Sequence, residues 1–156
     1  MPTPDDNLKA LHLTLPPAPK PMAVYRPCLQ VGNLLYLSGH VPLNADGSLH
    51  TGVVGAGLTT EQGYAAAKQV GLAALATVVA HCGSLAKVKR LIKTLGWVNS
   101  APGFGDQPKV MNGWSELMRD VFGPDAGVGV RSAVGANGLP SNVAVEVESL
   151  FELHAG

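Results

Sequence analysis

Two short apolar runs near the start of the chain are separated by a turn. Residues 28–31 and 34–39 are mostly apolar, and the dipeptide Gly32-Asn33 lies between them. A pair of Gly and Asn between such runs is typical of a β-hairpin, because both residue types tolerate the positive φ angles of a tight turn. We therefore predict that an antiparallel pair of strands opens the folded part of the chain.

Local signals predict two helices further along the chain. Thr59 and Gln62 have the spacing of a capping box, so the first helix should begin at Thr59, and Gly83 is well placed to end it. Pro108 suits the first turn of the second helix. Apolar residues then recur every three or four positions until Gly123, which is followed by proline, ends the pattern. Both helices should bury one side against a sheet.

Three further strands are predicted at residues 88–98, 128–136 and 143–153. The last of these alternates most regularly, with valines on one side and Glu146 and Glu148 on the other. The resulting order ββαβαββ predicts an α+β domain with a mixed sheet and two helices on one face. The opposite face would combine charged and apolar residues, which is unusual for a surface in water, so we expect it to pack against a partner subunit.

The segment before the hairpin is rich in proline. Residues 1–23 contain six prolines and should form an extended arm, with at most a short ordered piece around residues 8–15. The rest of the sequence has neither an internal repeat nor a linker between two cores. We therefore predict a single domain over residues 24–154.

Composition narrows the possible functions. The 156 residues are 46% hydrophobic and 14% charged, and eleven basic residues balance eleven acidic ones. The apolar content is enough for one packed core, whereas zero net charge argues against nucleic-acid binding, which depends on an excess of Lys and Arg. So few charges also favour a surface that is covered by copies of the same chain.

The cysteines and the apolar stretches favour a protein of a reducing compartment. Cys28 and Cys82 do not form a CxxC zinc motif, and two cysteines cannot make a disulfide framework. The longest apolar stretch, residues 65–80, is interrupted by polar residues and is too short to span a bilayer. The N-terminus lacks an apolar targeting segment, and the five histidines lack the spacing of metal ligands. We expect a cytoplasmic protein without a bound metal.

The last two strands contain the strongest candidates for chemistry. If Val130 faces the helices, Arg131 faces the opposite side, as Glu146 does. Antiparallel pairing of these strands would then bring Arg131 close to Glu146 or Glu148. A guanidinium can bind a carboxylate at two points, and a nearby glutamate can deprotonate a water molecule. The alternative, which the spacing alone favours, is an ion pair across the strands at a subunit interface.

Three segments resemble the signature elements of the RidA family, the reactive intermediate/imine deaminases that are also called YjgF proteins. Residues 130–148, VRSAVGANGLPSNVAVEVE, contain its Arg-Ser start, the Leu-Pro eight residues after the arginine and the final Val-Glu-Val-Glu. Residues 31–42, VGNLLYLSGHVP, are similar to its Gly-Asn and Ser-Gly-Gln-x-Pro element. Residues 110–122 are similar to its Val-Asn-x-x-Tyr helix. Order and spacing agree over about residues 24–153.

The resemblance implies a fold similar to that of trimeric chorismate mutase, with three subunits around a central barrel and clefts between neighbours. Members of the family hydrolyse enamine and imine intermediates to 2-keto acids and ammonia without a cofactor. By position, Arg131 would bind the substrate carboxylate, and Glu146 would place or activate the water. Four further residues would line or support the cleft: Tyr25, Ser38, Gly39 and Asn112.

Several positions depart from the family pattern. His40 stands where glutamine is usual, and it could either reach the cleft as a substrate-binding residue or pack against the neighbouring loop. Ala133 replaces a cysteine that is often found two residues after the arginine. The loop at residues 100–107 is longer, and residues 52–57 look like additional material beside the cleft. A divergent member of the family is therefore expected.

Three functions from different classes remain open. The first is hydrolysis of 2-imino acids by a homotrimer. The second is binding of small carboxylates such as 2-keto acids by the same trimer, without turnover. The third, endoribonuclease or translation inhibitor, is disfavoured by the zero net charge and by the lack of a stripe of basic and aromatic residues.

Overall fold

The computed structural model describes residues 1–156 and contains three α-helices and five β-strands. The helices are α1 (Pro4–Ala10), α2 (Thr60–Cys82) and α3 (Gln107–Phe122). The strands are β1 (Cys28–Val31), β2 (Leu34–His40), β3 (Val88–Asn99), β4 (Val130–Ala136) and β5 (Val145–Leu153). Short 3-10 turns precede β3, at Leu85–Lys87, and β5, at Pro140–Asn142. All five predicted strands and both predicted helices are confirmed, with small shifts at their ends.

The five strands form one mixed sheet in the order β1-β2-β5-β3-β4. All neighbouring strands are antiparallel except β3 and β4, which are parallel and are connected through α3. The prediction that β4 and β5 pair with each other is wrong, because β3 lies between them. A parallel connection needs a crossover, so α3 returns the chain to the free side of β3, and β5 then fills the place between β2 and β3.

Helices α2 and α3 cover one face of the sheet and build the core with it. The predicted capping box of Thr59 and Gln62 is present, and Gly83 ends α2 in the left-handed conformation. α2 has the length and apolar character of a membrane span, but more than half of that stretch is buried inside the fold. Gly113 allows α3 to approach α2 closely, since a side chain there would overlap the Tyr64 carbonyl. This packing sets where α3 meets β4.

The N-terminal segment is more ordered than the extended arm predicted for residues 1–23. Residues 4–10 form α1, a helix with a capping box at Thr3, and this helix lies against α3. Leu8 of α1 is buried in the main core. The ordered piece expected at residues 8–15 therefore begins earlier, because a threonine cap followed by proline starts a helix whose apolar side has a place in the core.

Candidate active site

Arg131 lies on the helix-covered face of the sheet and not on the opposite face. It stands opposite Thr94 of β3 in the parallel ladder, so both side chains point to the same side. Thr94 faces the helices, because its hydroxyl accepts a hydrogen bond from the Trp114 indole N–H at 3.0 Å. Val130 and Val134 therefore occupy the outer face, the reverse of the prediction. The register that β3 imposes on β4 is the cause, since a one-residue shift exchanges the two faces.

The Arg131 guanidinium is held against the first turns of α3. Nη1 donates to Asn112 Oδ1 and to Ser115 Oγ, both at 3.0 Å, and Nη2 donates to the Pro108 carbonyl at 3.4 Å. No carboxylate lies within ion-pair distance of Arg131. These contacts use three of the five guanidinium N–H groups, so two remain for a ligand. The result is an oriented cation without a counter-charge, exposed at the free edge of β4.

Glu146 projects from β5 into an open groove on the outer face of the sheet. The groove has a volume of about 370 Å³ and is lined, besides Glu146, by Gly39, Trp97, Ala136, Gly138, Leu139 and Glu148. The Glu146 carboxylate lies against Gly39, where any side chain would overlap it. This glycine therefore makes room for the carboxylate at the wall of the groove.

Two effects raise the pKa of Glu146 above that of an ordinary glutamate. The larger is partial burial, which disfavours the charged form, and the smaller is repulsion from the charge of Glu148. No cation lies within ion-pair distance to oppose them. A carboxylate in such surroundings holds a proton more tightly than an exposed one.

Neither Ser38 nor Tyr25 is among the residues that line this groove, and both lie toward β1. Ser38 lies in a β-bulge of β2, and both its hydroxyl and its backbone N–H donate to the Pro27 carbonyl, at 3.2 and 3.0 Å. Tyr25 lies in the segment before β1 and is 47% exposed, and its hydroxyl accepts a hydrogen bond from the Met22 N–H at 3.4 Å. Ser38 thus braces the segment that carries Tyr25.

His40 is buried under α2 and does not line the groove. Nδ1 donates to the Ser38 carbonyl at 2.7 Å, and Nε2 accepts from the Thr77 hydroxyl at 2.8 Å. Because a carbonyl only accepts, this arrangement assigns the neutral ring with its hydrogen on Nδ1. Burial lowers the pKa of His40. Of the two places left open for His40, it therefore does not occupy the cleft in this chain, since the bulge in β2 turns its side chain back toward the core.

Arg131 and Glu146 do not meet within one chain. They point to opposite faces of the sheet, with β3 between their strands, and strand spacings put their Cα atoms on the order of 14 Å apart. Two other residues of these sites were not singled out by the sequence: Ser115, which binds Arg131, and Trp97, which lines the groove. Only the helix–strand packing and the register of β3 reveal them.

The sequence pattern described as "YjgF/chorismate mutase-like, putative endoribonuclease" matches residues 5–153. Protein TCP17 of Trypanosoma cruzi is 41% identical over 148 residues, which are 95% of this chain and 92% of that protein. A 2-iminobutanoate/2-iminopropanoate deaminase of Dermatophagoides farinae is 28% identical over 138 residues, 88% of this chain and 92% of that protein. The crystal structure of a "putative endoribonuclease" from Shewanella oneidensis has a TM-score of 0.93 and 31% identity, covering 97% of this chain and 100% of that chain.

The sheet order, the helices on one face and the similarity over almost the whole chain define an α+β domain of the chorismate mutase-like type. The chain belongs to the YjgF/chorismate mutase-like family. The resemblance carried by the three sequence segments is thereby confirmed. The family pattern begins at residue 5 and therefore includes all of α1 except its first residue.

Proposed function

We propose that the protein hydrolyses small 2-imino acids to 2-keto acids and ammonia, in clefts between the subunits of a homotrimer. The observation that carries this proposal is a pair of uncompensated charges. Arg131 is held at the free edge of β4 with two unused donors, and Glu146 lies in an open groove without a cation. A substrate with a carboxylate beside an electrophilic C=N carbon uses both groups.

A second subunit is needed to complete such a cleft, because the two groups are far apart in one chain. The outer face of the sheet exposes apolar side chains, of which Val130 is 66%, Tyr36 46% and Val134 41% exposed. Exposed apolar surface of this kind favours contact with another protein surface. In the proposed trimer, Arg131 of one protomer lies across the interface from Glu146 of its neighbour.

The reaction follows from the chemistry of these two groups. Arg131 binds the substrate carboxylate. Glu146 takes a proton from water while the water oxygen bonds to the imine carbon, and it passes that proton to the nitrogen. The resulting carbinolamine loses its hydroxyl proton to the same carboxylate, the C–N bond breaks, and the nitrogen leaves as ammonia with that proton. Water attacks imines without a catalyst as well, so positioning alone supplies a useful rate gain.

One of the relatives supports this class of reaction. The similar protein of Dermatophagoides farinae bears the name of an imine deaminase, and the similarity extends over 88% of this chain. The name of this relative supports hydrolysis of a C=N bond as the reaction that we propose for this chain. The residues that would carry it here are the ones that this chain itself presents, Arg131 and Glu146.

Subunit mixing tests the proposal. The imine of 2-aminobutyrate is generated with a threonine dehydratase, and its decay is timed with and without the protein. Arg131→Ala and Glu146→Gln should each abolish the acceleration while leaving assembly intact. When the two variants are unfolded together and refolded as mixed trimers, about a quarter of the clefts regain both groups, so about a quarter of the activity should return.

The outcomes separate the parts of the proposal. No acceleration over buffer by the unchanged protein would refute the enzymatic activity. Full activity in either single variant would remove that residue from the mechanism. Activity in the unchanged protein but none in the mixed trimers would show that both groups act from the same chain, against the shared cleft.

Binding of small carboxylates without turnover is the second candidate. One observation favours it: residues of α3 already orient the Arg131 side chain within a single chain. Binding of a carboxylate by Arg131 would therefore not require Glu146 of a second subunit. In this case 2-ketobutyrate should raise the melting temperature of the protein, Arg131→Ala should remove the shift, and the imine should decay no faster than in buffer. Acceleration of that decay would rule this candidate out.

Ribonuclease activity has less support in the structure. The cluster of basic residues around β3 is partly neutralised, since Lys89 and Arg90 both form ion pairs with Glu152, at 2.8 and 3.4 Å. A surface compensated in this way attracts phosphates weakly. We therefore expect no RNA cleavage. Cleavage that persists in nuclease-free preparations and disappears with Arg131→Ala would contradict this expectation.

A further inference from the structure

We propose that Ser115 is a positioning residue for Arg131, and that it turns the guanidinium so that Nε and Nη2 together bind the substrate carboxylate. Ser115 does not touch the substrate and acts only through the arginine. The role of Ser115 rests on the proposed function, because it concerns how the same site holds the carboxylate of its substrate.

Helix α3 presents two fixed hydrogen-bond acceptors to Arg131. Asn112 and Ser115 are three positions apart, so they lie on the same side of the helix. Trp114, the residue before Ser115, donates to the Thr94 hydroxyl at 3.0 Å, and Thr94 stands opposite Arg131 in the ladder between β3 and β4. Both members of that hydrogen bond are buried. It therefore fixes α3 relative to β4 at the level of Arg131, and the two acceptors are fixed with it.

The contacts of Arg131 leave one particular pair of donors free. Nη1 carries two hydrogens and has two acceptors, Asn112 Oδ1 and Ser115 Oγ, both at 3.0 Å. Nη2 donates to the Pro108 carbonyl at 3.4 Å, and Nε donates to no group of the chain. The free donors are thus the Nε–H and one N–H of Nη2, which can meet the two oxygens of one carboxylate. Binding through Nη1 would require the carboxylate to displace Asn112 or Ser115.

Ser115 lowers the cost of ordering the arginine. Arg131 is exposed, and no carboxylate lies within ion-pair distance to hold it. A long side chain loses rotamer freedom when it binds a ligand, and acceptors that hold it beforehand reduce that loss. The Ser115 hydroxyl has a short side chain on a helix, so it restricts the guanidinium more than water does. Removal of this one contact should weaken carboxylate binding by about three- to tenfold.

Substitution of Ser115 in the assembled full-length protein tests this role. Ser115→Ala should raise KM for the imine of 2-aminobutyrate and Kd for 2-ketobutyrate by about three- to tenfold. The value of kcat should stay within about twofold, because the water and Glu146 are untouched. Ser115→Thr keeps the hydroxyl and should restore both constants. Since Ser115 is only half-buried and alanine favours a helix, the melting temperature without ligand should not fall.

Two measurements observe the arginine directly. The NMR order parameter of the Arg131 Nε–H should fall in Ser115→Ala and recover in Ser115→Thr. In crystals soaked with 2-ketobutyrate, the carboxylate oxygens should lie within hydrogen-bond distance of Nε and Nη2, and not of Nη1. Asp120→Asn is the matched control, because Asp120 lies on the same helix but forms its ion pair with Arg119. This variant should change neither KM nor the order parameter.

The outcomes separate failure of this role from failure of the proposed function. If the unchanged protein neither hydrolyses the imine nor binds 2-ketobutyrate, the proposed function is refuted, and the role of Ser115 with it. If the unchanged protein is active and Ser115→Ala keeps its KM and its Arg131 order parameter, the role of Ser115 alone is refuted. A joint fall of kcat and melting temperature, an equal effect of Asp120→Asn, or a carboxylate bound at Nη1 would each overturn that role as well.

Discussion

Replacing His40 by glutamine tests how a buried histidine couples stability to pH. In the folded chain, burial holds the pKa of His40 below its ordinary value of 6.5. When the chain unfolds, the ring returns to water and takes up a proton below that pH. The free energy of unfolding should therefore fall as the pH decreases below 6.5, because the unfolded state binds a proton that the folded state excludes.

Burial of the ring, which keeps it neutral in the folded chain, sets the size of this effect. Nδ1 donates to the Ser38 carbonyl and Nε2 accepts from the Thr77 hydroxyl, so a second proton on the ring would reverse the bond to Thr77, whose hydroxyl would then have only the Ala73 carbonyl, 3.5 Å away, to donate to. If the folded state keeps the neutral ring, the loss between pH 7.5 and pH 5.5 is at most about 1.4 kcal/mol. His40→Gln can still bind Thr77 but cannot take up a proton, so this loss should disappear.

Urea denaturation at pH 7.5, 6.5 and 5.5 measures the effect, with both proteins at one fixed concentration because an oligomer unfolds in a concentration-dependent way. Subtracting the free energies of unfolding of the two proteins at each pH removes the contribution of the titratable groups that both proteins share. Among these is Glu146, whose raised pKa stabilises the fold as the pH falls, the opposite direction. Thr77→Val keeps His40 and should keep the pH dependence. A difference between the unchanged protein and His40→Gln that stays constant with pH would refute the reasoning.

Two further predictions concern the helices. Gly113→Ala should lower the free energy of unfolding by about 3 kcal/mol, because a Cβ there would overlap the Tyr64 carbonyl and push α3 away from α2; a melting temperature within a degree of the unchanged protein would contradict this close approach. Asp5→Ala should cost about 1–2 kcal/mol in urea denaturation, because the Asp5 carboxylate accepts hydrogen bonds from the Ser84 hydroxyl at 2.7 Å and the Ala86 N–H at 3.1 Å. Equal stability of this variant would show that α1 is not held by these contacts.

Features with local signals were predictable from the sequence. The capping box at Thr59, the left-handed Gly83 and the hairpin turn at Gly32 are present as expected, because each depends on residues only a few positions apart. Helix α1 was less predictable, since its seven residues are too few to be stable alone and depend on the burial of Leu8.

The candidate site was predictable in its residue types but not in its geometry. Arg131 and Glu146 stand out by motif, and both are free of counter-charges in the structure. Their placement on opposite faces could not be read from alternation, since a strand that alternates weakly, as β4 does, fits either orientation. Likewise, the single-residue bulge that turns His40 into the core leaves no mark in the sequence.

By itself, the sequence determined the class of fold, the order of its helices and strands, the family and the two charged residues that define the candidate site, because these depend on short-range patterns and motifs. Only the tertiary structure decided that β3 separates β4 from β5, that Arg131 faces α3, and that Glu146 and Trp97 share a groove. The physical reason is that strand order and register arise from pairing between distant segments, and a shift of one residue exchanges the two faces of a strand.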